Sequence, residues 1–152
     1  MLIGVISDTH GLLRPEAVEA LRGVEHILHA GDVGEIGILD ALREIAPVTA
    51  IRGNVDVSGA CAELPATDVV ELGDRLFYLV HSVHDLDINP VAAGVVMVVS
   101  GHSHKASVQV RDGVIYFNPG SAGPRRFSLP VTVGFVTVED GVEASVMELD
   151  GK

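Results

Sequence analysis

An apolar run over residues 2–7 ends in Asp8, Thr9, His10 and Gly11. Side chains two apart on an extended strand leave the same face, so Asp8 and His10 can grip one cation. The same four residue types also suit a plain turn at a strand end. What favours the cation is repetition. Asp32 follows the apolar run 25–30 through Gly31, Asn54 follows 48–51 through Gly53, His81 closes 76–80, and His102 and His104 follow 95–101. Asp8, His10, Asp32, Asn54, His81, His102 and His104 are seven oxygen and nitrogen donors, each at the end of an apolar run. One such acid is ordinarily a turn residue and one such histidine a polar contact, but a set of this size reads as ligands.

Imidazole nitrogen, carboxylate and one amide oxygen, without thiolate, suit Mn, Fe, Co, Ni or Zn. The donors exceed what a single catalytic zinc ion takes, so two divalent transition-metal ions sharing a bridging carboxylate is the economical arrangement. The donor set does not choose among these metals; manganese is taken first, with Ni, Co, Fe and Zn as alternatives. Two ions about 3.5–4 Å apart can hold a hydroxide between them and a phosphate oxygen on each, the geometry of in-line phosphoryl displacement.

The elements that must position these donors follow from the apolar pattern. Residues 2–7, 25–30 and 48–51 read as strands, with helices opened by Pro15 and over 36–45 between them. Strand, helix, strand, helix, strand implies a parallel sheet whose ligands gather beyond the carboxyl ends of its strands. After Pro65 the texture changes. Residues 68–72 and 75–80 flank Gly73 and Asp74, 108–110 and 114–117 flank Asp112 and Gly113, and 131–138 and 142–149 flank Asp140 and Gly141, all hairpin signals. A short helix over 88–93 and a strand over 95–100 are expected between them. The second half therefore reads as mostly antiparallel, and two sheets packed face to face with helices outside would bury both.

The chain has 152 residues, 47% of them hydrophobic, enough for one core, and residues 1–152 are expected to form a single domain. Its one cysteine, Cys61, excludes an intrachain disulfide and fits a reducing, cytoplasmic setting. No membrane segment or export signal is expected. A net charge of -11 argues against holding duplex nucleic acid by a general positive field.

The motifs Ser-Asp-Thr-His-Gly (7–11), Ala-Gly-Asp-Val (30–33), Arg-Gly-Asn-Val-Asp (52–56), Phe-Tyr-Leu-Val-His (77–81), Gly-His-Ser-His (101–104) and Asn-Pro-Gly-Ser (118–121) resemble those of the calcineurin-like metallophosphoesterases. The compact length is similar to the small bacterial and archaeal phosphodiesterases of the YfcE type. The resemblance implies an α/β (α+β) fold, a four-layer αββα sandwich of two mixed sheets flanked by helices. It also implies a small phosphodiester substrate, attack by a metal-bridged hydroxide, and a homo-oligomer. It assigns Asp8, His10 and His104 to one ion, Asn54, His81 and His102 to the other, and Asp32 to the bridge. Phosphodiesters are expected over monoesters because that branch prefers them and because the sequence shows no basic cluster for a dianion.

Two positions depart from the pattern. Val55 stands where many members carry a histidine, and the branch a cysteine, so the usual proton donor to the leaving group is absent. Ser82 stands where the branch often has glycine. His84 could replace the missing donor, which makes Asp32, Asn54 and His84 the residues expected to carry turnover; a surface histidine without a role is the plainer reading of His84.

Of the remaining polar residues, His29 is expected either to tune Asp32 or to be a buried structural imidazole, and Asp56 to orient a histidine. Arg125 or Arg126 could clamp a phosphate, or simply anchor structure. Asn118 to Ser121 are read as a turn supporting the histidine loop, His26 and Lys105 as surface residues, and Cys61 as without catalytic use. The competing function is a non-catalytic protein-binding scaffold, since the same fold serves so in the retromer's vacuolar sorting subunit. A third reading makes the ions structural.

Overall fold

A computed structural model describes residues 1–126 and 128–149. β1 (Leu2–Ile6), α1 (Pro15–Ala20), β2 (His26–His29), α2 (Gly37–Arg43) and β3 (Val48–Ala50) alternate as expected. Pro15 fixes the first helical turn, where its missing N–H costs nothing. The apolar face of α2, Ile38, Leu39 and Leu42, packs with Ala17 and Leu21 onto Ile6 and Ile27 of the sheet.

β4 (Thr67–Leu72), β5 (Arg75–Val80), β6 (Val95–Val99), β7 (Ser107–Arg111), β8 (Val114–Asn118), β9 (Thr132–Val138) and β10 (Val142–Glu148) complete the chain. The first sheet has the order β10-β9-β1-β2-β3 and the second β4-β5-β6-β8-β7. β1, β2 and β3 run parallel, with β9 antiparallel to β1. All three hairpins form.

The second half keeps an antiparallel majority in its three hairpins and the pairing of β9 with β1, but its own sheet is mixed, because β5, β6 and β8 run parallel. Two hairpins each give the second sheet one edge strand, β4 or β7, and one inner strand, and β6 enters singly between them. The carboxyl ends of β5, β6 and β8 therefore lie together, like those of β1, β2 and β3.

Between the sheets lies a core of Ile3, Val5, Leu28, Phe77, Leu79, Met97, Val99 and Phe117, each fully buried. Burial of each such side chain is worth about 1.5–3 kcal/mol. The two mixed sheets and flanking helices make the αββα sandwich, but its fourth layer is thin. The outer face of the second sheet is covered by the 3₁₀ turn Val83–Asp85 and the segment after it, which lays Leu86 and Ile88 against Tyr78, Val80, Val95 and Val98.

The helix expected over 88–93 is a single turn. Pro90 disfavours helical backbone before it, and Gly94, at φ 73°, ends the turn after Ala93 N–H bonds Asn89 O at 3.0 Å. Among the described residues no helix is long and apolar enough to cross a membrane.

Candidate metal centre

The carboxyl ends of the parallel strands carry the predicted donors. Asp8 and His10 follow β1, Asp32 follows β2, Asn54 follows β3, His81 follows β5, and His102 and His104 follow β6. Asp8 N–H bonds Gly31 O at 3.0 Å and His10 N–H bonds Asp32 O at 2.9 Å, so the first two loops are laced together by backbone. Gly101 N–H bonds His81 O at 2.9 Å and does the same for the second sheet.

Five of these donors are left-handed: Asp8 (φ 56°), His10 (47°), Asp32 (55°), His102 (72°) and His104 (63°). Among the described non-glycine residues only Asp74 and Asp112, in hairpin turns, share that property. Such backbone costs side-chain-bearing residues of order 1 kcal/mol or more each and persists where surrounding structure overrides it.

The donor atoms converge. Asp8 Oδ1 lies 3.7 Å from His10 Nε2, 3.8 Å from His81 Nε2 and 3.4 Å from His104 Nε2. Asp32 Oδ2 lies 3.5 Å from His10 Nε2 and 3.1 Å from His81 Nε2. The His81 and His102 rings stand 5.2 Å apart, and His102 Nδ1 is 3.2 Å from Asn54 Oδ1. All seven donors thus form one contiguous group, Asp8 buried at its floor and Asn54 and His102 exposed at its rim.

Among the described residues two overlapping groups have the reach to hold an ion, Asp8 with His10 and His104, and Asp8 with Asp32 and His81. Asp8 belongs to both groups. Asp8 Oδ1 and His81 Nε2 are buried without a hydrogen-bond partner. Buried polar atoms are rarely left so, and a cation is the partner that this acceptor set fits.

Hydrogen bonds outside the cluster fix how the donors face. His81 Nδ1–H donates to Ala30 O at 2.7 Å, which leaves Nε2 toward the carboxylates. Asp8 Oδ2 accepts from Ser7 Oγ at 2.6 Å and from His102 N–H at 3.1 Å, leaving Oδ1 for the centre. Asp32 Oδ1 accepts from the Val55 N–H at 3.0 Å. Val55 therefore serves through its backbone where its side chain offers no proton.

Burial would raise Asp32, but the adjacent His81 imidazole and the Val55 N–H override it and hold the carboxyl at about 2. Burial dominates at Asp8 and pushes it above the usual carboxylate range, against the Ser7 hydroxyl and the neighbouring imidazoles. Burial would lower His81, yet Asp32, the Ala30 carbonyl and Asp8 carry it upward. Burial lowers His104, with the charge of Arg126 acting in the same sense.

Of the two readings open for His29, the buried structural imidazole holds. Its Nε2–H donates to Thr9 Oγ1 at 3.0 Å and its Nδ1 accepts from Gly31 N–H at 3.1 Å, while Thr9 Oγ1–H donates to Val33 O. It is a structural clamp on both acidic loops, fully buried, and burial drops its pKa to about 4.

Asp56 orients no histidine. Its carboxylate accepts from the N–H groups of Val33 at 3.0 Å, Gly34 at 2.9 Å and Gly53 at 2.9 Å, tying the loop of Asp32 to that of Asn54. Asn118 supports the histidine loop as expected, donating to Gly101 O at 2.9 Å and to Ser103 Oγ at 3.1 Å. Ser121 Oγ–H donates to Asp8 O at 3.0 Å. His26 is half-buried and paired with Thr49 at 2.8 Å, and Cys61 is buried in the 3₁₀ turn Ala60–Glu63. Arg125, Arg126 and Lys105 are exposed.

Two clefts flank His102. One, of about 700 Å³, runs past Asn54, Arg52, Thr67 and Asp87. The other, of about 240 Å³, runs over Ser100, Ser107 and Tyr116. Ser82, His84 and His102 line both, so exposed His84 stands at their junction. Arg52, which the sequence did not single out, reaches the larger cleft with its guanidinium pinned to Leu64 O at 2.6 Å.

The family model of the calcineurin-like phosphoesterase superfamily domain matches residues 1–141. A protein of Methanocaldococcus jannaschii named probable metallophosphoesterase is 33% identical, over 99% of this chain and 82% of its own length. The solved structure of a novel archaeal phosphodiesterase superposes with a TM-score of 0.79 at 25% identity, over 97% of this chain and 100% of that one. The phosphoesterase YfcE of E. coli gives 0.71 at 25%, over 90% and 88%. Vacuolar Protein Sorting 29 of Cryptosporidium parvum gives 0.82 at 23%, over 99% and 93%, a likeness of fold.

Proposed function

The chain belongs to the calcineurin-like phosphoesterase superfamily, and on that premise we propose that it hydrolyses phosphodiesters with two divalent cations held at the strand ends. The observation that carries this reading is the convergence of Asp8 Oδ1 and Asp32 Oδ2 on three imidazole Nε2 atoms at 3.1–3.8 Å. Asp8, His10 and His104 would hold one cation and Asn54, His81 and His102 the other, with Asp32 within reach of both. When bound, such cations make phosphorus more electrophilic and water more acidic.

The chain's own residues set the stage. Asp32 is kept ionised by the Val55 N–H and His81, and the His81 ring is fixed by Ala30. The orphaned floor atoms and laced loops leave the donors little to reorganise on loading. Two clefts meeting at His102 give a diester's two substituents separate places, which a monoester does not need. His84, at their junction, is the side chain proposed to give the proton to the departing oxygen.

The test is to strip the protein with chelator and restore Mn²⁺, Ni²⁺, Co²⁺ or Zn²⁺ in turn. Bis(p-nitrophenyl) phosphate and p-nitrophenyl phosphate are then assayed side by side, with Asp32→Ala and Asn54→Ala as controls. Metal-dependent hydrolysis that favours the diester and is lost in both variants is expected. Hydrolysis with none of the four metals would replace this reading with the scaffold.

A further inference from the structure

We propose that the smaller cleft binds a planar heteroaromatic arm of the substrate, in the first instance a nucleobase. For its reaction this rests on the phosphodiesterase reading; for its binding it does not.

The cleft exists because the fourth layer is thin. Leu86 and Ile88 cover the part of the second sheet built by β5 and β6, while Ser107, Gln109 and Arg111 of β7 stay exposed. Alternation puts those three on one face, and the register pairs them with Asn118, Tyr116 and Val114 of β8. Val114 and Tyr116 belong to the outer apolar cluster, so this is the outer face of the sheet. The floor of the cleft is therefore a strip of open sheet that begins beside His102 and runs toward the β7 edge.

On that floor a stacking platform is already assembled. The Arg111 guanidinium carbon lies 5.1 Å from the centroid of the Tyr116 ring, and Arg111 Nη2–H donates to Gln109 Oε1 at 2.9 Å. A solvated arginine on an edge strand ordinarily samples many rotamers, and here a ring and an amide hold it. Flat guanidinium over flat phenol offers the surface on which heteroaromatic rings stack, and base stacking of this kind is worth about tenfold or more in affinity.

A second phosphate is the poorer fit. Among the described residues Arg111 is the only permanent cation lining the cleft and is already engaged, in a chain of net charge -11. Hydroxyls of Ser82 and Ser107 and the Gln109 amide offer the neutral donors and acceptors that ring edges need. Because His102 belongs both to the cleft and to the donor cluster, an arm seated there brings its phosphate to the candidate metal centre.

Two measurements test this. Metal-free protein is titrated with adenosine and, separately, with ribose while backbone amide resonances are followed. Adenosine is expected to shift Gln109, Arg111 and Tyr116, and ribose to leave them in place. The Mn²⁺-loaded protein is then given thymidine 5′-(p-nitrophenyl phosphate) and methyl p-nitrophenyl phosphate. A preference of about tenfold or more in kcat/KM for the nucleoside ester is expected. Arg111→Ala and Gln109→Ala, both at exposed positions, should collapse that preference chiefly through KM. Absence of the adenosine shifts, or a preference unmoved by both variants, would overturn the proposal. If neither ester is hydrolysed while the shifts appear, the phosphodiesterase reading fails and the base site stands.

Discussion

Replacing Asp56 by asparagine should loosen the site without removing any donor. Its Oδ2 accepts from Val33 and Gly53, and its Oδ1 from Gly34, so one buried carboxylate holds two loops in register. An amide of the same shape keeps one oxygen. Placed to serve Val33 and Gly53, it turns its NH₂ toward the Gly34 N–H and leaves that donor unpaired, a loss of about 1–3 kcal/mol. The two surviving bonds lose their charge assistance, about 1 kcal/mol for the pair.

The total is about 3 kcal/mol, or roughly 6–12 °C in Tm for a chain of this size. Urea unfolding of the metal-free variant gives the stability directly. Calorimetric titration with Mn²⁺ then reads the functional consequence, since Asp32 and Asn54 sit on the loops that part. The second binding step should weaken about 10–100-fold. A variant within 0.5 kcal/mol of wild type, with an unchanged second step, would refute the view that Asp56 sets the distance between those loops.

Three further outcomes follow from the geometry. His29 has a folded pKa of about 4 against 6.5 unfolded, so the unfolded chain binds the extra proton and stability present above pH 6.5 falls as pH drops toward 4. Urea midpoints of metal-free protein should show a loss of about 3 kcal/mol over that window, and His29→Gln should flatten the slope. Gly53→Ala places a methyl group on the Asp32 carboxylate and should abolish the second calorimetric binding step while the first survives. Saturating Mn²⁺, at about 100 times its Kd, should stabilise wild type by about 2.7 kcal/mol per site in thermal unfolding, and Asp8→Ala should erase the gain.

How much of this was legible in the sequence depends on range. The seven donors could be read because each ends an apolar run, and the βαβ crossovers that gather their strand ends follow from alternating periods. The parallel course of β5, β6 and β8 could not, because hairpin signals describe neighbours in sequence and say nothing of which hairpin strand faces β6. The sequence points Asp56 at the wrong partner, and for His29 it leaves two readings open, of which the buried structural imidazole holds. Both residues bond backbone N–H groups or a hydroxyl rather than a ligand side chain, and backbone partners leave no mark on residue type. The left-handed φ of Asp8, His10, Asp32, His102 and His104 is equally silent, although Asp and His are among the few residues that tolerate it. Gln109, Arg111 and Tyr116 meet only through strand register, and nothing in Ser-Val-Gln-Val-Arg points to a cleft.

The most direct check is to titrate metal-free protein with Mn²⁺ while following hydrolysis of bis(p-nitrophenyl) phosphate. Turnover should rise from zero and saturate at two bound ions per chain. Saturation at one ion, or two bound ions with no turnover, would contradict the account.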